Sequence, residues 1–281
     1  MLNQRLITAF VLASLIVSAV IFLPTQSLAL MLAGIICVAA WEWAACAGFH
    51  DIPRKIIYVS FILLCLIACL KLLNKQWIVL IIACGFIWWV IATFLVVRYQ
   101  LNKNINLSSG ILKAMIGGVI LIPAWLSLIL IHSDKSGASL ANTSGISLML
   151  FLFFLIWLAD SAAYFSGRKF GNRKLASNVS PGKSWEGVYG ALLLSFLFGT
   201  CYALYVDMQF MVAILFIALA FFTVSFSILG DLVESMFKRM AGIKDSGKLL
   251  PGHGGVLDRI DSLTSAAPVF FTGLWAIERI S

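Results

Sequence analysis

The stretch ILKAMIGGVILIPAWLSLILI, residues 111–131, contains a single charged side chain, Lys113, and no strict alternation of apolar and polar residues. A membrane-spanning α-helix needs about 20 consecutive apolar residues, which this run supplies. A membrane-spanning β-strand is about half as long and alternates in hydropathy. The stretch therefore predicts a transmembrane helix.

Eight further runs of the same kind extend the prediction to the whole chain of 281 residues, of which 62% are hydrophobic and only 11% charged. Soluble domains carry about 25% charged residues, so the composition excludes an ordinary soluble protein. We predict an all-α polytopic membrane protein with about nine transmembrane helices. The predicted spans are roughly 6–23, 28–49, 56–74, 77–97, 111–131, 146–165, 187–206, 209–230 and 262–280.

The distribution of lysine and arginine predicts the orientation, because cytoplasmic segments are enriched in these residues. An N-terminus on the cytoplasmic side leaves only Lys71, Lys75, Lys135 and Arg279 on the opposite side, with Lys113 at a helix end. The other fifteen then face the cytoplasm: Arg5, Arg54, Lys55, Arg98, Lys103, Arg168, Lys169, Arg173, Lys174, Lys183, Lys238, Arg239, Lys244, Lys248 and Arg259. The net charge of +8 would thus meet anionic lipid and nucleotides.

The two halves of the chain differ in polar content. Residues 1–145 hold few polar side chains within the spans, and we expect them to form a scaffold with room for a lipid groove. Glu42, in WEWAA at 41–45, is expected at a helix end where its carboxylate reaches water. Residues 146–281 are expected to form the catalytic helices with their cytoplasmic polar loops, in one membrane unit with the scaffold.

Seven of the twelve carboxylates fall at the predicted cytoplasmic ends and loops of the second half, among basic residues. Acids beside bases at one membrane face indicate a metal and phosphate site. The seven are Asp160, Glu186, Asp231, Glu234, Asp245, Asp258 and Asp261.

Two of the polar clusters lie on either side of residue 175. Asp160, in WLADSAAYFSGRKFG at 157–171, lies about one turn inside its predicted helix, where a carboxylate is usually paired or functional. SPGKSWEG at 180–187 is not a P-loop, because Ser177 stands where that motif requires glycine. Lys183 and Ser184 could still hold phosphate at a helix N-terminus, or form a plain turn with a helix cap.

The other two clusters each contain acids three residues apart, which places them on one helix face. Asp231 has no obvious partner, whereas Glu234 could simply pair with Lys238, four residues on. Asp258 and Asp261 repeat the spacing, although Asp261 could serve only as a helix cap. The same stretch contains the catalytic candidate His253, within PGHGG at 251–255.

The ligand chemistry favours Mg²⁺ over zinc. The clustered donors are carboxylates, with one histidine and no nearby cysteine. Mg²⁺ is commonly held by one or two carboxylates together with substrate phosphates. A second cation is compatible with the number of acids.

At these residues the sequence resembles a known family. SMFKRMAGIKDSGKLLPGHGGVLDRID, residues 235–261, closely resembles the hallmark motif of phosphatidate cytidylyltransferases, also called CDP-diacylglycerol synthases. The family's upstream motifs are matched by DSAAYFSGR at 160–168 and by SPGKSWEG, with Gly182 where many relatives have lysine. The likeness covers residues 155–265 closely and the polytopic layout more loosely.

The resemblance implies that CTP and phosphatidate (phosphatidic acid) react with Mg²⁺ to give CDP-diacylglycerol and pyrophosphate, at the cytoplasmic face of a bacterial inner membrane. It implies metal ligands at Asp231, Asp258 and Asp261. The predicted catalytic set is Asp231, Asp258, Asp261, Lys244 and His253. The predicted substrate-binding set is Asp160, Arg168, Lys183, Ser184, Glu186, Lys238, Arg239, Asp245 and Arg259.

Two alternatives stay open from the sequence. A CTP-dependent lipid-alcohol kinase would transfer the γ-phosphoryl group instead, and a transporter would place its charges near mid-membrane on broken helices. The expected partners are CTP, phosphatidic acid and the lipid bilayer, with no nucleic acid. A homodimer is compatible with the sequence.

Overall fold

The computed structural model describes residues 2–71, 75–103, 105, 107, 109–133, 143–247, 249 and 254–280. Its described residues form nine α-helices, eight of them long and apolar enough to cross a membrane, while the apolar part of the first, Ile7–Phe22, is shorter. The predicted all-α polytopic class is therefore confirmed. The helices are α1 (Leu2–Phe22), α2 (Thr25–Cys46), α3 (Ile52–Lys71), α4 (Lys75–Gln100), α5 (Gly110–His132), α6 (Gly145–Phe170), α7 (Trp185–Tyr205), α8 (Phe210–Met240) and α9 (Leu257–Glu278).

Helix α5, which contains the run 111–131, lies in the interior of the bundle and is buried along most of its length. Its neighbours donate indole hydrogen bonds to it or accept them from it. Trp43 Nε1 donates to the Lys113 carbonyl at 2.8 Å, and Trp125 Nε1 donates to the Ala29 carbonyl at 3.1 Å. Gly117 permits the close approach of α2, because a Cβ at this position would overlap the Trp43 ring.

Helices α6 to α9 pack around an aromatic cluster to which all four contribute rings. The Phe151 ring lies 4.6 Å from Tyr202, 4.9 Å from Phe216 and 5.9 Å from Phe270, measured between centroids. Tilted and stacked ring contacts of this kind are favourable beyond their apolar area. The cluster holds together the four helices that carry the polar motifs.

The two ends of the bundle differ in chemistry. At one end, His132 ties the end of α5 to the α1–α2 turn, with Nδ1 2.9 Å from Thr25 Oγ1 and Nε2 3.0 Å from the Val20 carbonyl oxygen. At the other end, the C-termini of α2, α4, α6 and α8 lie near the N-termini of α7 and α9, and this is where the polar motifs come together.

Several predicted helix ends were wrong, because hydropathy marks where a helix leaves the hydrocarbon and not where it stops. Helix α6 continues to Phe170 and α8 to Met240, whereas the predicted spans ended at 165 and 230. Helix α8 is closed by Gly242 at a φ of 71°, whose N–H donates to the Arg239 carbonyl at 3.1 Å. Glycine adopts this left-handed conformation without strain.

The segment 177–187, predicted as a turn before a helix, belongs in part to a β-hairpin. Strands β1 (Lys174–Ala176) and β2 (Ser180–Ser184) pair antiparallel and join α6 to α7. The strands are too short for an alternating hydropathy pattern to reveal them. The hairpin places the SPGKS residues beside the end of α8.

Candidate active site

Glycines bring the first two polar motifs into contact across α6 and α7. A Cβ on Gly187 would lie 2.9 Å from the Ala163 carbonyl oxygen, and one on Gly190 would overlap the Ser166 hydroxyl. A Cβ on Gly167 would lie 3.1 Å from Ser184 Oγ. Helices approach this closely only where side chains are absent. The glycines of both motifs thus set the distance between the two helices.

The β-hairpin is fixed by hydrogen bonds on three sides. The buried Ser184 caps α7 by accepting a hydrogen bond from the Gly187 N–H at 3.3 Å. Arg239 Nε donates to the Val179 carbonyl at 3.3 Å, which attaches the hairpin to α8. The Asn178 N–H donates to the Gln100 side-chain carbonyl at 3.0 Å, which attaches it to α4.

The hairpin delivers Lys183 to Asp231 of α8. Lys183 Nζ lies 2.5 Å from Asp231 Oδ2, and Ser235 Oγ donates to Asp231 Oδ1 at 3.2 Å. The Lys183 and Asp231 side chains are 25% and 30% exposed, so both are accessible from outside. The ion pair joins two motifs that are about fifty residues apart in sequence, at a position that a charged ligand can reach.

Asp261 of α9 lies beside this pair because α8 and α9 cross at a glycine. A Cβ on Gly230 would lie 2.6 Å from the Asp261 carbonyl oxygen and would overlap Ser265 Oγ. The Asp261 carboxylate accepts the Ser262 N–H at 2.8 Å and is within electrostatic range of Asp231 and Lys183.

Asp160 of α6 completes the group. Its carboxylate interacts electrostatically with Lys183, Asp231 and Arg259. Side chains from α6, β2, α8 and α9 therefore lie near enough to one another, at one end of the bundle, for their charges to interact. We call Asp160, Lys183, Asp231, Arg259 and Asp261 the central polar group.

A second ionic group lies deeper, between α8 and α9. Lys238 Nζ lies 2.6 Å from Asp258 Oδ1 and 3.1 Å from Glu234 Oε1, and the three side chains are at most 11% exposed. Asp258 also accepts the backbone N–H groups of Ser246, at 3.1 Å, and Gly255, at 2.8 Å. The pairing of Glu234 with Lys238, which their spacing of four residues predicted, agrees with this geometry.

The donor chemistry of the central polar group fits a hard divalent cation. Asp231 and Asp261 offer carboxylate oxygens from adjoining helices, and one or two carboxylates suffice when phosphates supply the remaining ligands. Among the described residues, no three acidic, histidine or cysteine side chains are grouped closely enough to hold an ion by themselves. Asp258 fits less well, because Lys238 and two backbone N–H groups already occupy its oxygens.

Other predicted site residues lie around these two groups. Arg168 Nη1 donates to the Tyr164 hydroxyl at 3.2 Å, on the exposed end of α6. Glu186 accepts the Arg173 N–H at 3.3 Å, and its carboxylate lies 3.9 Å from Arg173 Nε. Lys244 and Asp245 are exposed on the segment after α8, and Arg259 is exposed on α9. His253, Lys248, Pro251 and Gly252 lie outside the described residues.

Glu42 lies in the last turns of α2, as predicted, but the expectation that its carboxylate reaches water was wrong. The residue is 5% exposed, and its carboxylate accepts hydrogen bonds from Ser246 Oγ, at 3.0 Å, and from the Leu257 N–H, at 2.8 Å. Its partners lie more than two hundred residues away along the chain, beyond the reach of local sequence patterns. The only local signal is a carboxylate within an apolar run of aromatic and alanine residues.

Comparisons with known proteins identify the family of the chain. The chain matches the model of the cytidylyltransferase family over residues 3–277, and it belongs to this family. It is a nucleotidyltransferase by class.

The individual relatives that the chain resembles are phosphatidate cytidylyltransferases. The chain is 43% identical to the phosphatidate cytidylyltransferase of Pseudomonas aeruginosa over 277 residues, which cover 98% of each protein. It is 38% identical to the phosphatidate cytidylyltransferase of Haemophilus influenzae over 288 aligned positions, covering 96% of this chain and 97% of the relative. The enzyme of the same name from Staphylococcus epidermidis is 42% identical over 128 residues, 46% of this chain.

Proposed function

We propose that the protein transfers the cytidylyl group of CTP to phosphatidate, which yields CDP-diacylglycerol and pyrophosphate for phospholipid biosynthesis. Relatives that bear the name of this activity align with nearly the full chain. The eight helices capable of crossing a membrane suit a substrate that resides in the bilayer.

The observation that carries the proposal is the contact of Lys183 on β2 with Asp231 on α8, within electrostatic range of Asp261 on α9. In the structure Lys183 is paired with the carboxylate of Asp231. A bound triphosphate would offer Lys183 a denser negative charge, and a cation bound with it would take over Asp231. The ion pair is therefore a site where a cation–nucleotide complex can exchange partners with the protein.

The reaction requires charge neutralisation more than proton transfer. A phosphate oxygen of the lipid attacks the α-phosphorus of CTP, a new P–O bond forms, and the bond to the leaving pyrophosphate breaks. A phosphate monoester is already anionic near neutral pH, so a strong general base is not needed. Two polyanions must be held together against repulsion, and positioning with electrostatic stabilisation supplies this.

Lys183 and Arg259 of the central polar group are proposed to contact phosphates directly, with the exposed Lys244 as a further candidate. Lys238 is engaged by Glu234 and Asp258, and we assign it to the support of the α8–α9 junction. Arg239 holds the hairpin, and Ser184 holds the start of α7. A phosphate contact from His253 stays a prediction.

We assign the divalent cation to Asp231 and Asp261 and propose that it is Mg²⁺. When bound, the cation neutralises phosphate charge and polarises the reacting phosphoryl group. Asp160 is proposed to orient Lys183 and Arg259. A direct metal role for Asp258 stays a prediction, and it would require Asp258 to release Lys238.

The polar end of the bundle is proposed to face the cytoplasm of a bacterial inner membrane, since fifteen basic residues are predicted on that side. CTP would then arrive from the cytosol, and the lipid would enter from the bilayer with its phosphate at the interface. We further propose that residues 1–145 act as the scaffold and 146–281 as the catalytic part. A homodimer stays a prediction, which the mass of the detergent-purified protein would test.

A labelling experiment tests the reaction. Purified protein is incubated with phosphatidate and with CTP labelled either at the α- or at the γ-phosphate, with and without EDTA. Cytidylyl transfer places the α-label in lipid and releases the γ-label as pyrophosphate. A lipid-alcohol kinase would place the γ-label in lipid, and a transporter would move substrate across proteoliposomes without consuming CTP. EDTA is expected to abolish labelling, and titration with Mg²⁺, Mn²⁺ and Ca²⁺ identifies the cation.

A further inference from the structure

A buried carboxylate in the first half of the chain contacts both described ends of the loop that joins α8 to α9. Glu42, on the last turns of α2, accepts three hydrogen bonds from these two ends. The donors are Ser246 Oγ at 3.0 Å, the Val256 N–H at 3.1 Å and the Leu257 N–H at 2.8 Å. Val256 and Leu257 form the start of α9, where free N–H groups and the helix dipole favour a negative charge.

Glu42 and Asp258 hold the two ends of the same loop from opposite sides. Ser246 donates its hydroxyl to Glu42 and its backbone N–H to Asp258, at 3.1 Å. On the return side, the Gly255 N–H donates to Asp258 at 2.8 Å, and the next two N–H groups donate to Glu42. Two carboxylates from different helices thus hold Ser246, after α8, close to Gly255 and Leu257, at the start of α9.

Gly247 and Gly255 lie directly against the Glu42 side chain. The three atoms nearest to a Cβ built on Gly247 all belong to Glu42, with Cδ at 2.8 Å and Cγ at 3.2 Å. A Cβ on Gly255 would lie 2.7 Å from Glu42 Cδ. Gly247 and Gly255 therefore admit the carboxylate into the base of the loop.

We propose that Glu42 is a positioning residue for the cytidylyl transfer. It acts by holding Ser246 and Gly247 against residues 255–257, and through these contacts it sets the place of Asp258, Arg259 and Asp261 at the start of α9. It touches neither substrate. The kinetic test of this inference rests on the proposed function. The hydrogen bonds that Glu42 accepts are tested separately, without substrate.

The test is a double-substitution cycle with a matched control. The variants are Glu42→Ala, Gly247→Ala and the two combined, and Gly34→Ala is the control. Gly34 lies on the same helix as Glu42, and a Cβ there would have no atom within 4 Å. We expect kcat to fall about 10- to 100-fold in each single variant, since displacements of about 1 Å at an active site have effects of this size. KM for CTP should change by less than about threefold, because no ground-state contact is removed.

The combined variant separates positioning from general damage. Once Glu42 is truncated, the added methyl at position 247 has room, so the double variant should be no slower than Glu42→Ala alone. Independent structural effects would instead multiply, which would give about a 10-fold further loss. Multiplying losses, or unchanged kcat in Gly247→Ala, would overturn the proposal. The Gly34→Ala control should keep the kcat of the unmodified protein.

Hydrogen–deuterium exchange provides the substrate-free readout. The amides of Val256 and Leu257 should exchange faster in Glu42→Ala and Gly247→Ala than in Gly34→Ala, while α5 keeps its protection. If the unmodified protein showed no cytidylyl transfer, the proposed function would fail, and the exchange result would still decide whether Glu42 holds the loop. If Glu42→Ala could not be purified folded, Gly247→Ala alone would decide. Full activity with unchanged exchange would refute the inference.

Discussion

Substitution of Gly230 by alanine tests whether the crossing of α8 and α9 sets the geometry of the site. The new Cβ would lie 2.6 Å from the Asp261 carbonyl oxygen and would overlap Ser265 Oγ. Ordinary contact begins at 3.4 Å, so α9 must shift by about 0.8 Å, carrying Asp261 away from Asp231. A displacement of this order lowers kcat by up to about 100-fold. Overpacking of a helix interface costs about 1–3 kcal/mol of stability.

The assay combines turnover with thermal unfolding in detergent. We expect Gly230→Ala to keep the elution volume and helix content of the unmodified protein, to unfold at a lower temperature and to lose at least about 10-fold in kcat. Gly118→Ala is the matched control, because its Cβ would meet its nearest atom, Ile62 Cδ1, at an ordinary 3.6 Å. Full turnover by a folded Gly230→Ala protein would show that the crossing distance does not control the site.

Three further substitutions separate the roles assigned to single residues. Asp231→Asn should abolish detectable turnover with little change in unfolding temperature. Asp258→Asn should also destabilise the fold, by up to about 3–5 kcal/mol, because it removes one of the two carboxylates that pair with the buried Lys238. Equal unfolding temperatures of the two variants would contradict this. Ser184→Ala removes the cap of α7 and should destabilise by about 1 kcal/mol, measured by denaturation in mixed micelles. Arg173→Ala removes an exposed contact to Glu186 and should leave the unfolding temperature unchanged; a clear decrease would assign Arg173 a role in the site.

The apolar runs predicted the helices, because burial in hydrocarbon leaves a strong signal in composition. They did not predict where α6 and α8 end or where α9 begins, since these helices extend beyond the apolar runs. There, Lys238 and Arg239 favour the C-terminus of α8, and Gly242 stops it. Hydropathy contains no information on those polar turns.

The sequence motifs predicted which residues belong to the central polar group, but not which of them contact one another. Spacing placed Asp231 with Glu234 and Asp258 with Asp261 on shared faces, yet the two members of each pair have different partners. Asp231 and Asp261 approach the same space, while Asp258 pairs with Lys238. Which carboxylate faces which partner depends on the rotation of α8 and α9 about their crossing. Local spacing does not specify that rotation.

Glu42 shows a second limit of the sequence. A single carboxylate in an apolar helix has several local explanations, and its three donors lie on a loop more than two hundred residues away. Only the packing of α2 against α9 reveals the contact. The glycines at 247 and 255 were visible in the sequence as motif positions, and the structure gives a reason for them in the space that Glu42 fills.

The central claim is that the carboxylates of α8 and α9 hold a divalent cation against CTP at the polar end of the bundle. The most direct measurement is Mn²⁺ binding, followed by electron paramagnetic resonance with CTP present, for the unmodified protein and for the Asp231→Asn and Asp261→Asn variants. We predict saturable, CTP-dependent binding in the unmodified protein and its loss in both folded variants. Undiminished Mn²⁺ binding in either variant would contradict the assignment of that carboxylate.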